Sequence, residues 1–324
     1  MIRFRQLSVF AAVLLVIGFV AKEAPAQEWP SGTVRVIVPY AAGGPLDFPA
    51  RLLIDRLAAQ TKGVFILEHR AGAGGAVGAQ AAVQAAPDGN TFLFTSSSIT
   101  AAPAIYPKLG FDPLQALTPI SLVTEFPISI AVRANHPLRD LNDLITQAKA
   151  QPGKFTYGSG GVGTGNHLGG ELLKKMAGID LLHVPFRGIS VAITALYSGD
   201  IDMVITNALE SLAHARDGRV RVLAVGGARR MPELPDTPAI GELVPGYVMT
   251  NWYGLFGPRG LPANVLSRLD SELAKVREDP SLAQRAAAVG MTMIVSPADV
   301  LRARMEAEVP RWKQLVPEIG IKTE

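Results

Sequence analysis

Two glycine-rich turns carry the chemistry open to this sequence. In the first, Pro39-Tyr40-Ala41-Ala42-Gly43-Gly44-Pro45-Leu46-Asp47 follows the β-branched run Thr33 to Val38 and leads into a stretch containing Leu52, Leu53 and Leu57. A strand, a glycine turn and a helix in that order leave unpartnered N–H groups beside the positive end of a helix dipole, a setting that suits an anion. Asp47 can cap that helix, and Pro49 is tolerated in its first turn. An ordinary strand–turn–helix connection would read the same way, and this turn alone does not separate the two. The second turn is Gly158-Ser159-Gly160-Gly161-Val162-Gly163-Thr164-Gly165-Asn166, again between an apolar run and a helix carrying His167, Leu168, Leu172 and Leu173. Thr164 is a candidate N-cap, and the N–H groups from Gly160 to Asn166 can grip a carboxylate. Asn166 or His167 faces the ligand in that reading; His167 reads equally well as a helix-surface histidine bonding its own lobe.

Other chemistries find little support. Gly158, Gly160 and Gly163 match the dinucleotide fingerprint, but the next strand ends in Arg187 where an acidic ribose partner belongs. No G-x-S-x-G elbow, H-E-x-x-H pair or G-K-[ST] phosphate loop occurs. The five histidines lack metal-ligand spacing, and the absence of cysteine removes disulfides and thiolate sites. We therefore expect no metal and no cofactor.

The elements that must position these turns follow from the pattern of the chain. Residues 1–26 read as an export signal: Arg3 and Arg5, an apolar run from Val9 to Val20, and Ala24-Pro25-Ala26 as the cleavage site, placing the mature chain in the periplasm. No later segment is apolar enough to span a membrane, so no membrane insertion is expected after signal removal. The formal charge is +3; removing Arg3, Arg5, Lys22 and Glu23 takes away a net +2 and leaves about +1. That balance argues against nucleic acid or anionic lipid as a partner. The remainder is long for one core and suggests two lobes. Strands at Val64–Glu68 and Thr91–Thr95, with an alanine-rich helix between them ending near Ala86, continue a β-turn-α grammar that implies a parallel sheet. Ile120 to Val132 divides into two apolar runs at Glu125-Phe126-Pro127, which predicts a crossing between lobes. A second α/β series follows: a helix at Leu141–Ala150, then strands near 155–157, 181–184, 202–206 and 220–225, with helices between them. Tyr247 to Gly257 predicts the return crossing, and helices are expected over Pro262–Glu278 and Ser296–Leu315. Lobe one thus takes 27–126 and 252–324, and lobe two takes 127–251.

The residues of these turns resemble the Bug-type periplasmic solute receptors of tripartite tricarboxylate transporters. The first-loop pattern stands here as Pro39 to Asp47 with Arg51. Further matching pieces are Arg70-Ala71-Gly72-Ala73-Gly74-Gly75, Pro87-Asp88-Gly89, Gly163 to Leu168, Val184-Pro185-Phe186-Arg187-Gly188, Gly199-Asp200-Ile201-Asp202, and Trp252 to Pro258. The match runs in order through essentially the whole mature chain. Pro45 and Phe48-Pro49 stiffen the first loop, and Ala71 stands where proline is common. The resemblance implies an α/β fold of the two-lobed, type II-like Venus-flytrap class with two interlobe crossings. It also implies a small carboxylate ligand and the membrane components of such a transporter as partners. One ligand carboxylate is then held by main-chain amides: Ala42, Gly43 and Gly44 with Asp47 on one lobe, and Gly161, Val162, Gly163 and Thr164 on the other. Tyr40, Ser97, His167, Phe186, Arg187, Thr206 and Asn207 would line the rest of the cleft. An exported enzyme acting on a small carboxylic acid is the alternative, but the sequence offers it no nucleophile–base pair.

Overall fold

The computed structural model describes residues 29–288 and 291–321; the export signal and its cleavage site lie outside them. Among the described residues, nine strands form two sheets that share one strand. In the first sheet β1 (Thr33–Val38) runs parallel to β2 (Val64–His69) and β3 (Thr91–Ser96). In the second, β5 (Thr156–Ser159) runs parallel to β6 (Leu182–Pro185) and β7 (Met203–Asn207). Both sheets meet at β4 (Leu117–Arg133). Its first part pairs antiparallel with β9 (Thr250–Pro258), and its last part pairs with β7 and β8 (Val220–Val225). The two expected apolar runs are therefore one continuous 17-residue strand, because Pro127 occupies a position whose missing N–H the ladder tolerates. Beside it, Ile128 N–H donates to Met249 O, Met249 N–H to Gly226 O, and Gly226 N–H to Ile128 O. A Cβ on Gly226 would lie 2.6 Å from Met249 O, so only glycine lets these three backbones meet.

Helices cover both faces of each sheet. Lobe one carries α1 (Asp47–Thr61), α2 (Ala76–Val83), α3 (Ser98–Ile105) and the single turn α4 (Pro113–Ala116). Lobe two carries α5 (Leu141–Ala150), α6 (Gly165–Ala177), α7 (Ile189–Ser198) and α8 (Ala208–Arg216), and the chain closes with α9 (Ala263–Arg277), α10 (Pro280–Ala287) and α11 (Ala298–Glu318). Val34, Val36 and Phe94 pack against Leu53 and Leu57 of α1 and Leu269 of α9 on one face of the first sheet. Ile37 and Leu93 pack with Ala79, Leu301 and Met305 on the other. In lobe two, Tyr157, Ile205 and Ile130 are buried with Leu144, Leu168 and Leu172. The last turns of α11 join this second core through Trp312, Val316 and Ile319.

Most elements lie where the pattern places them, α5 to the residue. The alanine-rich helix stops earlier than expected, at Val83, ahead of the Pro87-Asp88-Gly89 turn. Helices α3, α4 and α10 are additions. All three are short, and α3 is buried around most of its circumference, Ser98 and Thr100 included, with Pro103 inside it, so it shows no 3.6-residue alternation.

Candidate functional site

The carboxyl ends of the parallel strands from both lobes border one cleft of about 1070 Å³. That is where ligands gather in open α/β sheets. On the lobe-one side, the turn after β1 is shaped by Asp47. Its Oδ2 accepts the Gly43 N–H at 2.7 Å, and its Oδ1 lies 2.8 Å from His69 Nε2. Asp47 is thus the clasp of the loop and not the helix cap: Leu46 holds the N-cap position with helical backbone and no side-chain bond. The Gly43 amide is turned inward at φ 77° and is engaged. The amides of Ala41, Ala42, Gly44 and Leu46 have no partner among the described residues, and all four residues line the cleft. Tyr40 lies beside them, its hydroxyl 2.6 Å from both Ser96 Oγ and Ser98 Oγ and donating to Gly74 O at 3.2 Å. Burial pushes its phenol above the usual range, so it acts as a neutral hydrogen-bonding group.

On the lobe-two side, the turn after β5 is held by its own side chains. Gly161 N–H donates to Ser159 Oγ at 3.2 Å, Gly163 N–H to His167 Nδ1 at 3.1 Å, and Thr164 N–H to Gly161 O at 3.3 Å. Thr164 is the N-cap of α6, as its type and position predict. The amides of Gly160, Val162, Gly165 and Asn166 have no partner among the described residues. These four, more than those of Gly161, Gly163 and Thr164, are the donors open to an anion, two of them in the first turn of a 13-residue helix.

The floor is a chain of carboxamides, of which the sequence points to Asn166 and Asn207 but not to Asn251. Asn251 Nδ2 donates to Asn166 Oδ1 at 2.7 Å and reaches Asn207 Oδ1 at 3.4 Å, while Ser97 Oγ donates to Asn251 Oδ1 at 3.3 Å. Asn207 Nδ2 in turn donates to the Tyr253 hydroxyl at 3.4 Å. Asn251 comes from the return strand, and its place just before Trp252-Tyr253 was the one available signal. Ser97, Asn207, Phe186 and Arg187 line the cleft.

Four expected residues lie behind the wall and not in it. Asp47 and Gly163 support the loops as described, Thr206 Oγ1 donates to Glu210 Oε2 at 2.6 Å, and His167 is buried under the second turn. His167 is therefore neither a ligand-facing nor a surface histidine. Among the described lining residues, Arg187 is the single charged side chain; it is exposed at the rim, with no ion-pair or hydrogen-bond partner among them. Among the described residues no Asp or Glu lines the cleft, and they hold no group of three His, Asp or Glu suited to a metal. No helix among them is long and apolar enough to cross a membrane.

Two α/β lobes joined by paired crossing strands, with an amide-lined cleft between them, define a solute-binding protein of the periplasmic type. Residues 50–321 match the tripartite tricarboxylate transporter family receptor, TctC, and the chain belongs to that family. It is 32% identical over 292 residues to the UPF0065 protein of the tcbD-tcbE intergenic region of Pseudomonas sp. strain P51, covering 90% of this chain and 87% of that one. It is 29% identical to BugT of Bordetella pertussis, over 98% of each chain. Among solved structures, an adipate-bound protein of R. palustris superposes with a TM-score of 0.84 at 29% identity, covering 92% of this chain and 100% of that one. MatC of Rhodopseudomonas palustris with bound malate superposes with a TM-score of 0.81 at 30% identity, covering 89% and 100%.

Proposed function

We propose that this protein is an exported receptor that captures a small carboxylate between its lobes and delivers it to the membrane components of a tripartite tricarboxylate-type transporter. The observation that carries this reading is that, among the described residues, two sets of unpartnered main-chain amides meet on one cleft whose walls bear no acidic side chain. The Ala41–Leu46 turn and the Gly160–Asn166 turn close on one carboxylate, with Asp47 shaping the first turn from behind. Hydrogen bonds to a charged group contribute about 1.5–3 kcal/mol each. A helix end adds about 0.3–1 kcal/mol. Four or five such contacts, less the cost of lost motion and lobe closure, leave about −8 kcal/mol, or micromolar binding. Amides suit a carrier because a fully desolvated arginine pair can cost as much to bury as it returns. Neighbours that hold adipate and malate support the acid class, and residues 1–26 support export to the periplasm.

Arg187, unpaired at the rim, selects ligands with a second acidic group. The test is a thermal-shift and calorimetry screen of monocarboxylates, dicarboxylates and amino acids on the native protein and on Arg187→Gln. Dicarboxylates should lose roughly tenfold in affinity in the variant, about 1.4 kcal/mol, while monocarboxylates change little. A cleft without acidic walls should also disfavour an ammonium group, so the amino acids should bind weakly. No melting shift with any acid would remove the receptor reading, and turnover of a bound acid would replace it with an enzyme.

A further inference from the structure

Behind the second glycine turn lies a column of side chains that does not line the cleft. His167, in the first turn of α6, stacks on His183 of β6 with ring centroids 4.0 Å apart and planes inclined by 18°. His183 stacks in turn on Tyr157 at 4.8 Å. Each imidazole connects to one glycine of the turn. His167 Nδ1 accepts the Gly163 N–H, and His183 Nε2 lies 2.7 Å from Ser159 Oγ, the acceptor of the Gly161 N–H. Gly161 and Gly163 have φ of 124° and 79°, the conformations that give the turn its shape.

We propose that the stacked His167–His183 pair is the positioning device of the second turn. With both rings uncharged it holds the Gly161 and Gly163 amides inward, so that those of Gly160, Val162, Gly165 and Asn166 face the ligand. The proposal rests on the carboxylate-receptor reading for its functional meaning. The charged and titratable groups around the pair are Glu171 and Lys174 from α6, Tyr157 from β5 and Tyr247, which donates to Gly169 O. Lys174 is balanced by Glu171 at 3.0 Å and Asp180 at 3.8 Å, and Tyr157 donates to Glu171. Burial first, and then the Lys174 cation, lower His167 to about 4. Burial and then His167 lower His183 to about 3, against the opposing pull of Glu171. A protonated His167 would set an N–H against the Gly163 N–H, and a cation against the His183 ring.

The test uses His167→Phe, which keeps a stacking ring and removes the acceptor, and His167→Asn, which restores an acceptor near the Nδ1 position. Two readouts are taken: NMR protection of the Gly163 amide without ligand, and calorimetric binding of adipate and malate. His167→Phe should lower Gly163 protection and acid affinity at least tenfold at neutral pH, with most of both restored in His167→Asn. Unchanged Gly163 protection in His167→Phe overturns the proposal. Lowered protection with undiminished acid binding supports the positioning role and removes the amide-cradle reading instead. Should His167→Phe not fold, His183→Phe decides: it keeps the stack and removes the ring nitrogen at Ser159, so Gly161 and Gly163 amide protection and acid affinity should fall together at neutral pH, and unchanged protection of both amides overturns the proposal.

Discussion

Gly165 has no room for a side chain. A Cβ there would lie 1.8 Å from Asn251 Oδ1, the carboxamide that ties the return strand to Asn166 and Asn207. Gly165→Ala must push Asn251 off its partners, so acid affinity should fall at least tenfold, about 1.4 kcal/mol, measured by calorimetry. Gly178→Ala is the control. Its added Cβ meets nothing within 4 Å, but its φ of 62° costs a non-glycine residue about 1–2 kcal/mol, so stability falls and affinity does not. A fall in affinity with Gly178→Ala, or none with Gly165→Ala, would contradict this division. At this scale the sequence marked the turns correctly, since glycine clusters between strand and helix patterns are visible one residue at a time. It did not mark which amides stay open. That depends on Asp47, which sits beside the first turn in the chain, and on His167 and His183, brought to the second by stacking across α6 and β6.

The element that ties the lobes together is α11. Its Glu308 carboxylate accepts the Trp252 indole N–H at 3.0 and 3.1 Å and the Thr100 hydroxyl at 3.1 Å, and pairs with Arg304 at 3.6 Å. Arg304 also pairs with Glu125 of β4 at 2.6 Å, so one face of α11 clasps both crossing strands and α3. Glu308→Ala leaves a buried indole N–H unsatisfied, and we expect a loss of about 1–3 kcal/mol in urea unfolding. Glu308→Gln, which keeps an acceptor for Trp252, should lose less; equal losses would show that the indole bond is unimportant. Further along, Trp312, Val316 and Ile319 leave lobe one and pack with Ile128, Leu168 and Tyr247, and Lys175 pairs with Glu318. An amphipathic helix was legible here from spacing alone. Its service to two cores was not, because periodicity shows that a face is apolar and not what that face meets.

In the whole molecule the two lobes touch across the cleft. The Tyr106 hydroxyl, at the end of α3, donates to Val162 O at 3.3 Å, and a Cβ on Gly74 would lie 3.1 Å from the same oxygen. A ligand that binds only this folded arrangement stabilises it by mass action, about 2.7 kcal/mol at a hundredfold excess over Kd. Melting should therefore rise by several degrees with a bound acid. The pH dependence follows chiefly from His167 and His183, with His136, also lowered by burial, acting in the same direction. The folded pKa values of His167 and His183, about 4 and about 3, lie below the ordinary 6.5, so the unfolded chain takes up protons that the folded chain refuses. The stability gained from neutral imidazoles is full above pH 6.5 and declines as the pH falls toward 4. Each unmatched proton removes about 1.4 kcal/mol per pH unit. Half-buried Glu210 and Glu308, raised by desolvation, act the opposite way just above pH 4.5. Urea titrations at pH 7.5, 6 and 5 should show stability falling across the series, with a shallower fall in His167→Phe. A flat profile would show that the rings are not held neutral.

What the sequence determined alone is local. β-Branched runs, glycine turns and capped apolar periods each report on a window of a few residues. They were enough to set the order of the strands and the longer helices, the two crossings and the two turns that border the cleft. They also carried the family resemblance, because the ordered motifs recur along almost the whole chain. What the tertiary structure decided is long-range pairing. It made β4 one strand through Pro127, brought Asn166, Asn207 and Asn251 together from three segments, and put His167, which reads equally as ligand-facing or as a surface histidine, inside lobe two. It also selected which N–H groups remain open. The physical reason is that a buried polar group takes whatever partner the fold sets within about 3 Å, and that partner is commonly far away in the chain.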